Sequence, residues 1–217
     1  MTPDAALFVR RETRVAAPSL VPELRLHLAD AALPLWQATE AEMAAVGLPP
    51  PYWAFAWPGG QALARLLLDR PELARGKRVV DFGAGCGIAA IAAARAGAAH
   101  VVAVDIDQFA CAAIGLNAVL NDVAVGIDMS DPLAEPVAAD LLLVGDMCYE
   151  KPLALRVEAW ARRAAATGAT VLLADPGRAY RPASGLVEVA RCMVPTSLDL
   201  EDRTSRETII WQVAPSV

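Results

Sequence analysis

Histidine and cysteine are scarce in this chain. Its 217 residues include two histidines, His27 and His100, and four cysteines, Cys86, Cys111, Cys148 and Cys192, which stand far apart without a CxxC pair. That spacing offers neither paired zinc ligands nor a disulfide framework. A basic excess is also missing: 19 Lys and Arg against 25 Asp and Glu give a formal charge of −6 and a pI near 5.0. The cationic field that nucleic acid requires is therefore absent. The longest uncharged stretch, 43–64, contains Pro49, Pro50, Pro51 and Pro58, so no membrane-spanning helix can run through it. Asp4, Arg10, Arg11 and Glu12 occupy the region where a secretory signal needs an apolar run, and the segment lacks the acid-poor, Ser-rich character of a transit peptide. A soluble cytoplasmic protein without nucleic-acid or membrane partners is expected, and a monomer is the expectation for this size.

What is present is a folding composition, 56% apolar and 20% charged. No repeat or linker divides it, so we expect a helical N-terminal extension over 1–50 and a main domain over 51–217. In the extension, apolar spacing predicts helices over Ser19–Asp30 and Gln37–Val46. A proline-bounded loop follows, then a helix over Gln61–Arg70. From there strands and helices alternate: strands at Arg78–Phe82, His100–Val104, Val123–Asp128, Asp140–Val144 and Ala169–Ala174, with helices at Gly87–Ala96, Gln108–Leu120 and Pro152–Ala165. This alternation predicts an α/β fold, a Rossmann-like doubly wound and mostly parallel seven-stranded sheet. A helix over Leu186–Arg191 is expected next, then an antiparallel pair from the runs Met193–Leu200 and Thr208–Val213.

The sharpest motif is Asp81-Phe82-Gly83-Ala84-Gly85-Cys86-Gly87, a strand entering a glycine-rich turn that opens a helix. Such a turn lets a ligand approach the backbone closely. Ile88 fills the place of the third glycine of a dinucleotide fingerprint, and no GK[ST] follows, so a pyrophosphate ligand is disfavoured. Asp81 would repel phosphate and suits a ligand with an ammonium-bearing end. Asp105 ends the next strand, where a carboxylate can accept both ribose hydroxyls of a nucleoside. A nucleoside with a positive, phosphate-free tail describes S-adenosylmethionine.

With these motifs the chain resembles the class I S-adenosylmethionine-dependent methyltransferases over roughly 50–213. The resemblance implies that Asp81, Gly83 and Gly85 border the methionine portion and that Asp105 holds the ribose. It also brings Asn121, or its neighbour Asn117, beside the cofactor, with a purely structural role open for both.

Gly145-Asp146-Met147-Cys148-Tyr149-Glu150 follows the strand at 140–144, which puts Asp146 and Tyr149 at the carboxyl edge of the sheet. A carboxylate facing a sulfonium methyl can orient an attacking amine by accepting its N–H, and a tyrosine can contact the same nitrogen. The other reading of Asp146 is an N-cap for the helix after it. Asp-x-x-Tyr resembles the signature of the seven-β-strand protein lysine methyltransferases, and Met147-Cys148 stands where the amide and nucleobase enzymes have two prolines.

Upstream, Pro51-Tyr52-Trp53-Ala54-Phe55-Ala56-Trp57-Pro58-Gly59-Gly60 packs four aromatics into six positions. This cluster resembles the Trp-containing segment that covers the cofactor in that group. Trp57 is then expected on the cofactor, Tyr52 and Trp53 along a substrate channel, and Phe55 either there or in the core. Asp175-Pro176-Gly177-Arg178 is an ordinary turn by itself; beside the other segments it brings Arg178 to the channel. The four segments together resemble the electron transfer flavoprotein β-subunit lysine methyltransferases. That resemblance implies methyl transfer from S-adenosylmethionine to a lysine of the electron transfer flavoprotein β-subunit. Ribosomal-protein or small-amine methylation, and a non-catalytic cofactor-binding module, are the competing readings.

Overall fold

Four mostly apolar strands explain why this chain builds a sheet whose centre is covered on both faces. The computed structural model describes residues 4–29, 50–196 and 201–215. The helix expected over Gln37–Val46 lies outside them. The elements in chain order are α1 (Ala5–Glu12), β1 (Arg14–Ala16), β2 (Leu26–Leu28), α2 (Pro58–Asp69), β3 (Arg78–Phe82), α3 (Ile88–Arg95) and β4 (His100–Val104). There follow α4 (Gln108–Leu120), β5 (Gly126–Asp128), β6 (Leu141–Gly145), α5 (Lys151–Ala166), β7 (Thr170–Asp175), β8 (Leu186–Pro195) and β9 (Ser205–Val213).

The main sheet has seven strands in the order β5-β4-β3-β6-β7-β9-β8, parallel from β5 to β7 and antiparallel at β9 and β8. Leu141, Leu142, Leu143 and Val144 of β6 are all fully buried, each contributing about 1.5–3 kcal/mol. Period-two alternation sends Leu141 and Leu143 into the core beneath α2 and α3. It sends Leu142 and Val144 the other way, against Phe82 and Trp160 of α5. The alanines of α3 keep that helix close to the sheet, because almost no side chain intervenes. β3 and β6 are parallel neighbours, and the order in which strands are added reverses between them: β4 and β5 continue from β3 on one side, β6 and β7 on the other. Sheets of this kind bind ligands in the crevice beyond the strand ends at such a switch point. Among the described residues no helix is long and apolar enough to cross a membrane.

Two expected helices are strands. Of the helix expected over Ser19–Asp30, the described part is turns followed by β2 at Leu26–Leu28, paired antiparallel with β1. Pro22 removes a helical N–H and clashes with the preceding turn, and Leu24, Leu26 and Leu28 carry a strand's alternation. The second is Leu186–Arg191, which belongs to β8. A bulge between Glu188 and Ala190 inserts one residue and breaks the alternation that would have revealed the strand. The strand expected over Val123–Asp128 is confined to its last three residues.

The N-terminal hairpin is fastened to the ligand-binding end of the sheet. Asn117, fully buried in α4, accepts the His27 N–H at 2.6 Å through Oδ1 and donates to the Cys86 carbonyl at 2.9 Å through Nδ2. One amide thus joins β2 to the glycine-rich turn. Phe8 of α1 reinforces the attachment by packing 4.8 Å from Phe109 and 6.3 Å from Trp53, ring centre to ring centre.

Candidate active site

β3 ends in the glycine turn, where Gly83 and Gly85 both have positive φ, 65° and 54°. A Cβ on Gly83 would also overlap the Met147 sulfur, so glycine lets the Met147 side chain lie across the turn. The Gly85 N–H donates to Asp105 Oδ2 at 2.8 Å, and the Asp107 N–H donates to Asp105 Oδ1 at 3.0 Å. These two bonds fix the carboxylate at the end of β4 and leave each oxygen a lone pair for a further donor. Burial raises the Asp105 pKa, and the backbone N–H groups around it oppose that rise.

Asp81 lies deeper. It is buried beneath the turn with Oδ2 accepting the Ala90 N–H at 2.9 Å, and burial, reinforced by the Asp105 charge, pushes its pKa up to about 7.

Asp146 follows β6 at the switch point. Its φ of 58° is left-handed, a region Asp tolerates better than most residues. The backbone N–H donates to the Ala174 carbonyl at 3.1 Å, so β7 holds the bend in place. Oδ2 accepts the Gly59 N–H in the first turn of α2, and Oδ1 accepts from Arg178 Nη2 at 3.0 Å. The N-cap reading for α5 is overturned: that cap position belongs to Glu150, whose side chain makes no capping bond. Asp146 instead satisfies the N-terminus of α2, where Trp57 at the cap position supplies no side-chain bond. Burial pushes the Asp146 pKa up to about 6, against the pull of Arg178 and the Gly59 N–H.

The Asp175 turn aims Arg178. Asp175 Oδ1 accepts the N–H groups of Gly177 at 2.7 Å and Arg178 at 2.8 Å, a side-chain-closed turn. Arg178 then reaches Asp146, lies 5.9 Å from the Trp57 ring and donates to Glu201 Oε1 at 2.7 Å. Trp57 Nε1 donates to the Tyr52 carbonyl at 2.7 Å. The Tyr52 ring stands 6.1 Å from Trp57 and 5.9 Å from Tyr149. Tyr52 and Tyr149 are exposed, so their faces look outward from this group. Burial raises the Tyr149 pKa, which keeps its O–H as a donor at neutral pH. The neighbouring Cys148 thiol is pushed up to about 12 by burial and by Asp175, which excludes it as a nucleophile near neutral pH.

The structure therefore gathers Tyr52, Trp57, Asp146, Tyr149 and Arg178 at the end of β6, with Gly83, Gly85 and Asp105 along the turn. Two expected residues stand elsewhere. Trp53 is only 2% exposed and packs between Phe8 and Phe109, because the short turn at 52–54 directs it inward while Tyr52 points out; Phe55 is buried in the same cluster. Asn121 caps the far end of α4, about 20 Å along a 13-residue helix from the end that faces Asp105. Its amide is spent on the Arg25 backbone and the Asn117 carbonyl.

Three contributors escaped the sequence. Glu201 is a nearly buried acid holding both Arg178 and Arg206, and pairing across 23 residues leaves no local trace. Ile106 is 74% exposed immediately after Asp105, an apolar face of the kind that covers a flat ring. The Gly59 N–H could have been suspected from Trp-Pro-Gly-Gly alone, since paired glycines at a helix start mark a close backbone approach. Among the described residues no group of His, Cys, Asp and Glu is arranged to hold a metal ion.

Comparison with known proteins adds the following. Residues 62–144 match the family described as "Ribosomal protein L11 methyltransferase (PrmA)". A zebrafish (Danio rerio) protein named electron transfer flavoprotein beta subunit lysine methyltransferase is 38% identical, covering 96% of this chain and 83% of its own. The human protein of the same name is 40% identical over 82% of this chain and 68% of its own. Among solved structures, a 16S rRNA methyltransferase from T. thermophilus in complex with AdoMet and guanosine superposes with a TM-score of 0.55 at 21% identity, covering 93% of this chain and 50% of its own. Magnesium protoporphyrin IX methyltransferase from Synechocystis with bound SAH gives 0.51 at 18%, covering 70% of this chain and 80% of its own. At such identities these two likenesses establish the fold.

Proposed function

The chain belongs to the electron transfer flavoprotein β-subunit lysine methyltransferase family, and from that premise we propose that it transfers a methyl group from S-adenosylmethionine to a lysine ε-amine of the electron transfer flavoprotein β-subunit. The observation that carries this reading is Asp146, a buried carboxylate at the sheet's switch point with exposed aromatic rings beside it. The ribosomal alternative draws on a match limited to 62–144, which ends at β6 and omits the Tyr52–Trp57 and Asp175–Arg178 segments. Four cysteines, none of them in a disulfide, suit work in the reducing cytoplasm.

The residues present fit the cofactor. Asp105 retains a lone pair on each oxygen for the two ribose hydroxyls, and Ile106 offers the adenine an apolar face. The open side of Gly85, where a Cβ would meet nothing closer than 3.9 Å, leaves room for the nucleoside's approach. Asp81 lies beneath the turn as a carboxylate counterpart to the methionine ammonium, and Trp57 covers the opening. When bound, S-adenosylmethionine supplies an electrophilic methyl on a sulfonium that leaves as a neutral thioether.

The rest is positioning. Tyr52, Trp57 and Tyr149 receive the lysine stem and its cationic head, which aromatic faces attract. Asp146 keeps one lone pair on each oxygen after bonding Gly59 and Arg178, enough to accept an N–H of the incoming amine and turn its lone pair toward the methyl. Arg178, fixed by Glu201 and the Asp175 turn, prevents Asp146 from swinging out of line.

The direct test is incubation of purified protein with S-adenosylmethionine and the electron transfer flavoprotein β-subunit, followed by mass spectrometry. Added 14-Da increments on lysine are expected; cofactor binding with no labelled lysine on that subunit would remove it as the substrate.

A pH signature follows from Asp146. The attacking amine must be neutral, so with S-adenosylmethionine saturating, its ammonium holding Asp81 ionised, log kcat/KM for the protein substrate rises with unit slope while lysine is mostly protonated. Asp146 is ionised above about pH 6 and protonated below it. Both requirements then act together below about pH 6, and the slope should steepen from one to two. A slope of one throughout would mean that the carboxylate form of Asp146 is not needed.

A further inference from the structure

Past Asp175 lies a cavity of about 550 Å³ that the methyl transfer itself does not use, lined by the 175–177 turn, Arg181 and residues of β8, β9 and the segment before β9. Three arginines line it, Arg181, Arg203 and Arg206, in a chain whose formal charge is −6. Of the acids beside them, Glu207 pairs with Arg191 at 2.7 Å and Asp175 Oδ1 closes its own turn, while Asp175 Oδ2 is buried without a hydrogen-bond partner. Arg206 is occupied by Glu201 and Asp202. The other two arginines are not so occupied. Arg203 has no ion pair among the described residues. Arg181 forms no ion pair among the described residues, although Asp175 feels its charge; it donates to the Pro182 carbonyl at 3.4 Å and lies 5.1 Å from the centre of the Trp211 ring. Stacking on the indole restrains the Arg181 fork before any ligand arrives, which lowers the ordering cost of binding a planar anion.

The cavity is close to the reacting group. Asp146 connects to Arg178, Arg178 to Glu201 and Glu201 to Arg206 through contacts of 3.0, 2.7 and 2.8 Å. Arg206 lines the same cavity as Arg181 and Arg203, and an extended peptide, advancing about 3.3 Å per residue, bridges adjoining sites of this kind within a few residues.

Resting on the protein-lysine reading above, we propose that this cavity receives an aspartate or glutamate side chain of the protein substrate, about two to four positions from the target lysine, and thereby selects among lysines. Arg181 and Arg203 pair with its carboxylate, and the peptide between the two anchored side chains runs over the Asp175–Arg178 turn. A carboxylate suits planar guanidinium forks, which bind it through parallel hydrogen bonds.

Fluorescence anisotropy tests this on the full chain, using a labelled hexapeptide with one lysine and one glutamate three positions away, beside the same peptide with glutamine. The glutamate peptide should bind about fivefold or more tightly at low salt, and the preference should shrink as salt is added. In the Arg181→Gln/Arg203→Gln double variant the preference should vanish; both side chains are exposed, so the fold is not at stake. Arg203→Glu should reverse the preference toward a peptide with arginine in place of glutamate. A preference below twofold in the unaltered protein, or one that survives the double substitution, overturns the proposal. Should the preference hold while no lysine of the flavoprotein subunit is labelled, the cavity keeps its role and the substrate named above is what fails.

Discussion

Asp146→Asn is expected to lower kcat by about 10²- to 10⁴-fold, the range associated with a misplaced or unassisted nucleophile, while the affinity for S-adenosylmethionine stays within a few-fold. Asparagine suits the test because it tolerates the left-handed backbone and keeps an oxygen for the Gly59 N–H. The fold should therefore survive. Alanine is a poorer choice: it leaves the first turn of α2 uncapped, at about 0.5–2 kcal/mol, and strains the bend as well. The contrasting variant is Asp105→Ala. Each of the two charge-assisted hydrogen bonds between Asp105 and ribose is worth about 1.5–3 kcal/mol, so the loss should cost at least roughly 10- to 150-fold in cofactor affinity, with a smaller effect on kcat at saturation. Isothermal titration with S-adenosylmethionine and steady-state kinetics separate the two. An Asp146→Asn enzyme with near-normal kcat would reduce that residue to a structural part.

Gly59→Ala is expected to be the most damaging single methyl group in the protein. An added Cβ would lie 2.5 Å from Asp146 Oδ2 and 2.8 Å from both the Asp146 nitrogen and the Ala174 carbonyl oxygen. Two of these three are backbone atoms at the ends of central strands, so nothing flexible can give way. From the strand side Gly145 shows a milder form of this crowding, since a Cβ there would meet the Gly60 nitrogen at 3.1 Å and the Gly59 carbonyl carbon at 3.3 Å. Helix α2 thus rests directly on the end of β6. The substitution should cost about 1–3 kcal/mol or more in stability, as overpacking does, and displace the Asp146 carboxylate. Thermal melting and kcat should fall together, with at least a 100-fold loss in kcat from the misplacement. A folded Gly59→Ala protein with full activity would mean that contact between α2 and Asp146 is irrelevant to catalysis.

Much of this was legible in the chain, for physical reasons. β3 and β4 fall on the expected residues because their centres are short β-branched runs, Val79-Val80 and Val101-Val102, and α4 does so because Asp107 caps a long apolar segment free of proline. Gly83, Gly85, Asp105, Asp146 and Tyr149 lie together at the carboxyl end of the sheet, as their places just past strands imply, because strand ends at a switch point are local in sequence. What failed depends on distant partners. Trp53 and Tyr52 are neighbours of similar character, and only the packing of Phe8 and Phe109 decides which turns inward. Asn121 was misjudged because its position along α4 is visible, but the hairpin that consumes its amide lies 96 residues away. A single bulge hid β8, and Glu201 was unreadable because burial of a charge is decided by the two arginines that neutralise it.

The order of strands at the far edge of the sheet carries a consequence for how the protein is made. β9 pairs with β7 on one side and β8 on the other, yet it follows both in the chain. During synthesis β7 emerges with its hydrogen-bonding edge unsatisfied, and β8 arrives before the strand that must separate them. For that interval a nascent chain presents the open edge that invites pairing with another copy. Weakening β9 should therefore show first as poor yield and aggregation of newly synthesised chains, before any loss of activity in the molecules that complete the sheet.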